Sequence, residues 1–159
     1  MKELKIEISI HRLQYDELSE IDQKLIKVAK EATNRSYAPY SHFCVGAAAL
    51  LNNGEIISGC NQENAAYPSG LCAERTTLFY ANSRYPDTAV EALAIAARSQ
   101  SGFLINPIPP CGACRQVLLE TERRFGVPIR VLLYSKNDIF LVNSVEDLLP
   151  LSFGSEFLR

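Results

Sequence analysis

No run of apolar residues in this sequence of 159 residues approaches the roughly 20 that a membrane-spanning helix needs, so no membrane partner is expected. Met1 to Ile10 alternates polar and apolar side chains and holds no apolar stretch of signal-peptide length. An excess of positive charge is also missing. The 16 Lys and Arg stand against 18 Asp and Glu, a net charge of −2 with an isoelectric point near 5.7. A nucleic-acid binder usually shows a basic face, so no nucleic-acid partner is expected, whereas an uncharged small molecule remains open. Histidine is scarce, with only His11 and His42. No internal repeat, low-complexity segment or linker divides the chain, so residues 1–159 are expected to form one domain. At 47% hydrophobic residues it can bury a core without disulfide staples. The cysteines number five, an odd count. In the cytoplasmic setting these features predict, they read as ligands or buried thiols.

Leu4, Ile6, Ile8 and Ile10 alternate with Lys5, Glu7 and Ser9, which predicts a short strand or extended arm. Ser19 offers an N-cap to a helix whose buried face would hold Ile21, Leu25, Val28, Ala29 and Ala32. Phe43–Leu51 and Ile56–Cys60 read as a hairpin turned at Asn52-Asn53-Gly54. A helix from Cys72 would bury Leu78, Phe79 and Ala81 and stop at Tyr85-Pro86-Asp87. Ala92–Ala97 reads as a central strand. A proline-rich connection leads to a helix opened by Cys111 or Gly112 and running to Phe125. Ile129–Tyr134 and Ile139–Val142 are the last strands, and Val145–Leu149 is a helical turn. The order predicts an α/β fold: three layers, α/β/α, around a mixed five-stranded sheet.

Two pieces carry the chemistry: Cys72-Ala73-Glu74-Arg75 and Pro110-Cys111-Gly112-Ala113-Cys114-Arg115-Gln116. Zinc takes thiolates readily, and a catalytic zinc keeps three protein ligands and leaves one position to water. Cys72, Cys111 and Cys114 supply that number, all near helix starts, where partial positive charge favours the thiolate. Three thiolates on Zn²⁺ leave a net charge of about −1, so a cation should compensate. Arg75 and Arg115 are the candidates, with Arg75 favoured. Glu74 sits two residues past Cys72, badly placed to ligate the same ion but well placed to move protons beside it. A structural site would want a fourth ligand. Cys44 and Cys60 lie in apolar strands and read as packing, and His42 as a solvent-facing or hydrogen-bonded side chain.

The sequence resembles the cytidine deaminase family over most of its length. The matching pieces include Tyr37-Ala38-Pro39-Tyr40-Ser41 with Phe43, Val45-Gly46-Ala47-Ala48, Gly59-Cys60-Asn61 with Glu63-Asn64-Ala65, Tyr67-Pro68, Cys72-Ala73-Glu74-Arg75-Thr76, Pro110 to Gln116, and Leu148-Leu149-Pro150 with Ser152-Phe153-Gly154. The resemblance implies one Zn²⁺ per subunit on Cys72, Cys111 and Cys114, with Glu74 as the proton carrier. It implies that Phe43 packs on a pyrimidine, that Asn61 and Glu63 hydrogen-bond a ribose hydroxyl, and that the backbone near Ala73 reads the base edge. It further implies a homotetramer whose neighbouring subunits complete each pocket, with Ala65, Tyr67 and Phe153 at those positions. Residues 145–159 would then be a pocket-closing segment, and residues 1–14 an extension bearing on the oligomer's outer surface. Cys44 departs from the proline common at its position.

The expected reaction is hydrolysis of cytidine and 2′-deoxycytidine to uridine and 2′-deoxyuridine with release of ammonia, a pyrimidine-salvage step. Glu74 would carry a proton from water to ring N3 and a second to the leaving amine. A second enzyme reading is deamination of a cytosine nucleoside antibiotic such as blasticidin S. A third is a non-catalytic zinc or nucleoside-binding protein.

Overall fold

Small side chains decide where this sheet can be covered on both faces. Ala47, Ala48 and Ala49 on one strand and Ala92, Ala94, Ala96 and Ala97 on its neighbour are buried, leaving room for helices on either side. The computed structural model describes residues 1–158. In chain order the elements are β1 (His11–Leu13), α1 (Glu20–Ala32), β2 (Cys44–Leu51), β3 (Ile56–Cys60), α2 (Ala73–Arg84), β4 (Val90–Ser99), β5 (Gly102–Phe103), α3 (Gly112–Phe125), β6 (Arg130–Tyr134) and β7 (Ile139–Val142). The sheet runs β1-β7-β6-β4-β2-β3, with β5 paired to β4. β4 and β6 are parallel, and the other pairs are antiparallel. The sheet is therefore mixed, as expected, and β2, β3, β4, β6 and β7 are the five expected strands. The three-residue β1 and the two-residue β5 bring the count to seven.

Helix α1 lays Leu25, Ile26 and Ala29 on one face of the sheet, against Ala48, Ala94 and Leu132. Helices α2 and α3 cover the other, where Leu78, Leu118 and Leu119 meet Ala47, Leu93 and Val131. That makes the three expected layers. Gly59 on β3 is required by this packing: a Cβ there would meet Thr77 Oγ1 at 2.7 Å, so α2 can lie this close only over glycine.

Three local expectations need correction. Of the two readings of Leu4 to Ile10, the strand does not form and the exposed arm remains; the strand is His11–Leu13, paired with the four-residue β7. Ile21 is exposed, and the buried place beside it belongs to Asp22, whose carboxylate accepts from Arg130 at 2.9 and 3.0 Å. Phe79 is also exposed, because α2 turns Leu78 and Ala81 to the core instead.

The end of the fold is fastened by a buried carboxylate. Glu122 on α3 accepts from Ile129 N–H at 2.7 Å, Val145 N–H at 2.9 Å and the Ser144 hydroxyl at 2.7 Å. Glu122→Ala strands two buried N–H donors at about 1–3 kcal/mol each. The expected loss is roughly 2–5 kcal/mol, read as a lower chemical-denaturation midpoint with an unchanged slope.

Candidate active site

Cys72 and Cys111 occupy the N-cap positions of α2 and α3, and Cys114 lies one turn into α3. The two helices run together on one face of the sheet, joined by Asn82 donating to Thr121 at 3.4 Å. This brings together residues 39 positions apart: Cys72 Sγ stands 3.8 Å from Cys111 Sγ, and Cys111 Sγ 3.4 Å from Cys114 Sγ. All three sulfurs lie within 4.8 Å of one another. Thiolates held about 2.3 Å from one tetrahedral ion stand roughly 3.8 Å apart, so the sulfur spacing fits zinc. No fourth Cys, His, Asp or Glu joins the group among the described residues. A three-sulfur set leaves one corner of a tetrahedron open, as a catalytic site does.

Glu74 is 5% exposed and is not one of the clustered ligands. Burial holds its carboxyl above the usual carboxylate range, and the charge of Cys72 adds to that. The Cys72 thiol is pulled down to about 5 by its hydrogen bond with Cys114, helped by the Arg75 guanidinium. Cys114 is pushed up by the same bond with Cys72 and by burial.

Arg75 Nη2 points at Cys72 Sγ from 3.8 Å. The other candidate cation is committed elsewhere. Arg115 Nε donates to Pro110 C=O at 2.8 Å and Nη1 to Leu148 C=O at 2.7 Å, so it ties the cysteine loop to the C-terminal segment. An outer-shell partner of a metal ligand is worth about 10–100-fold in metal affinity. Arg75→Gln should weaken zinc by an amount in that range, measured by competition with a chromophoric chelator, with the fold retained.

The sulfur cluster opens into a cavity of about 780 Å³, large enough for a small organic ligand. Phe43, Asn61, Glu63, Tyr67, Ala73, Glu74 and Arg75 line it, together with Cys72 and Cys111. Ala65 and Phe153 do not. Ala65 is exposed on the loop beside the cavity, and Phe153 is exposed, stacked on Phe157 at 5.8 Å.

The two polar residues expected to meet a sugar already have partners within the chain. Asn61 Oδ1 accepts from Val45 N–H and its Nδ2 donates to Phe43 C=O, both at 2.9 Å. Glu63 accepts from Tyr40 N–H at 2.9 Å, from Ser41 N–H at 3.3 Å and from the Ser41 hydroxyl. The Ser41 hydroxyl is the main reason its carboxyl lies below the usual range. These bonds fix the entry to β2 and so fix Phe43. One Nδ2 hydrogen of Asn61 and further lone pairs of Glu63 remain for a ligand.

Sequence reasoning missed Ile108 and Pro109, which wall the cavity beside Cys111. The cluster Pro107, Pro109 and Pro110 was the available signal, since such a loop is stiff. Cys60 is buried, Cys44 is half-buried, and neither joins the sulfur cluster. His42 is exposed, with a positive φ of 54°.

Residues 19–127 match the family described as "Cytidine and deoxycytidylate deaminase zinc-binding region". The cytidine deaminase of Halalkalibacterium halodurans is 43% identical over 137 residues, 84% of this chain and 95% of that protein. The cytidine deaminase of Sporosarcina psychrophila is 43% identical over 136 residues, 86% of this chain and 93% of that protein. The crystal structure of cytidine deaminase from Burkholderia pseudomallei superposes with a TM-score of 0.72 at 39% identity, covering 86% of this chain and 100% of that one.

Proposed function

This chain belongs to the cytidine and deoxycytidylate deaminase family, and from that membership we propose that it hydrolyses cytidine and 2′-deoxycytidine to uridine and 2′-deoxyuridine, releasing ammonia. Three sulfurs closing on one point beside a buried carboxylate carry this reading. Zinc, held by Cys72, Cys111 and Cys114, supplies the Lewis acidity that brings the pKa of a water toward about 7.

The chain's own residues do the rest. The Glu74 carboxylate takes a proton from the water and delivers it to ring N3, which leaves C4 electron-poor and open to the water oxygen. Glu74, unprotonated again, then takes the second proton from the hydroxyl now on C4 and delivers it to the leaving amine, so one group works in both directions and ammonia departs as C4=O forms. A carboxyl held above its ordinary range suits a group that must keep a proton between two transfers. Its burial keeps bulk water from competing for that proton. Phe43 lies against the pyrimidine face, and the backbone near Ala73 reads the base edge. One sugar hydroxyl can accept the free N–H of Asn61 and donate to Glu63, since both groups keep that capacity after their bonds within the chain.

The set Phe43, Asn61 and Glu63 favours an ordinary nucleoside over a bulkier cytosine antibiotic such as blasticidin S. In the assembly we propose, a homotetramer, Ala65 and Phe153 of one copy serve the pocket of a neighbour, whereas Tyr67, expected there too, lines the cavity of its own chain. The exposure of Ala65 and Phe153 here suits that placement. The protein would then act in the cytoplasm in pyrimidine salvage, as a single domain over residues 1–159. Loss of cytidine absorbance, ammonia release and zinc content should be measured on one sample. Zinc-loaded protein that leaves cytidine unchanged would reject the reading.

A further inference from the structure

The segment before β1 takes no part in the site and lies outside the family-matched residues 19–127. Lys2 to Ser9 makes no hydrogen bond and no ion pair with the described residues. Its root is held firmly. β1 pairs with β7, and Arg12 Nη2 donates to Asp138 at 2.6 Å. Beyond that root Leu4, Ile6, Ile8 and Ile10 are between 42% and 80% exposed. In an extended chain their period of two sets them on one face, with Lys5 and Glu7 on the other. The result is an arm with a strand's apolar alternation and unpaired backbone, continuing from the edge of the sheet. Such an edge pairs with another chain unless something blocks it.

We propose that two copies of this chain pair through residues 2–10 as antiparallel strands about a two-fold axis at Ile6. In that register Ile6 faces Ile6, Leu4 faces Ile8 and Lys5 faces Glu7, with the last two pairs occurring twice by symmetry. One face is then apolar from Leu4 to Ile8, with Lys2 opposite Ile10 only at the two ends, and the other carries two Lys–Glu pairs. The alternatives are worse. Centring on Lys5 opposes Lys5 with itself and Glu3 with Glu7. Centring on Glu7 opposes two glutamates, centring on Leu4 sets Lys2 against Ile6 right beside the axis, and centring on Ile8 loses both Lys–Glu pairs by setting Glu7 against Ser9. A shift of one residue puts apolar side chains opposite charged ones. Ile8 and Ile10 also border a groove of about 440 Å³ with Pro107, Pro109, Phe140 and Val142. The chosen register sets the partner's Leu4 beside Ile8 at the mouth of that groove. An isolated two-stranded ribbon is marginal in water, but this one grows from β1, which is already held in a sheet.

The test uses the full chain with a single added cysteine. Facing residues of an antiparallel pair have Cα atoms about 4.5–5.5 Å apart, within disulfide reach. Under glutathione disulfide, Ile6→Cys should give an interchain-linked species well above the native background. Leu4→Cys should not, because its counterpart lies beyond the roughly 7 Å limit. In the Ile6→Cys chain, adding Lys5→Glu or Glu7→Lys should slow the linking several-fold. Mixing those two double variants should restore it, because each then presents the charge the other lacks. Cytidine turnover should stay at the native level in the charge variants. Equal linking at positions 4 and 6, or a mixture no faster than its components, would overturn the pairing.

Discussion

Glu74→Gln should cut cytidine turnover by a factor of about 100 to 10,000, the usual worth of a positioned general acid–base. Zinc content should stay at the native level, because Glu74 is not among the clustered ligands. Glutamine fills the same space and still hydrogen-bonds, but it cannot carry a proton. Stability supplies the control. A carboxyl whose folded pKa lies above its unfolded value binds more protons when folded, so its contribution to stability declines as pH rises through that window. A neutral amide removes the decline, and the variant should melt no lower than the native protein at neutral pH. Lost activity with retained zinc and retained melting leaves proton transfer as the missing element. Full activity in this variant would reject the role of Glu74.

The candidate site was legible in the sequence because its pieces are local. Cys111 and Cys114 are brought together by a single helical turn, and Glu74, in the first turn of α2 two residues past Cys72, is buried in the same cavity without joining the sulfurs. The meeting of Cys72 with Cys111 is a matter of topology. It follows from two helices lying on one face of a mixed sheet; the order of elements implied the sheet and its layers, but not which face each helix takes. What stayed hidden depends on partners far away in sequence. Asp22 displaces Ile21 from the buried face of α1 because Arg130, 108 residues later, pairs with it. Asn61 and Glu63 were read from the family resemblance as ligand-facing. Their bonds to residues 40–45 form only when loop and strand meet. The alternation of Leu4 to Ile10 is a true strand pattern without a strand, because β7 is four residues long and β1 already occupies it. Periodicity reports a face and not whether a neighbour is there to use it.

Cys111→Ser tests the other half of the site. Cys111 Sγ lies 3.8 Å from Cys72 Sγ and 3.4 Å from Cys114 Sγ. A serine hydroxyl is a harder donor that does not ionise near neutral pH, so two thiolates would remain. Outer-shell partners are worth about 10–100-fold in metal affinity, so loss of a direct ligand should cost about 100-fold or more. Turnover should fall with the zinc content. A hundredfold weaker site loses about 2.7 kcal/mol of ligand-linked stability when zinc is in excess. For a chain of this length that is roughly 5–11 °C in melting temperature. In chelator the difference should vanish, because the core under α2 and α3 is built from Leu78, Leu118, Leu119 and the sheet, not from the metal. Cys44→Ser and Cys60→Ser should leave the zinc content alone, since neither sulfur joins the cluster. A Cys111→Ser chain that keeps its zinc, or that melts lower in chelator as well, would mean that this sulfur holds the fold and not the ion.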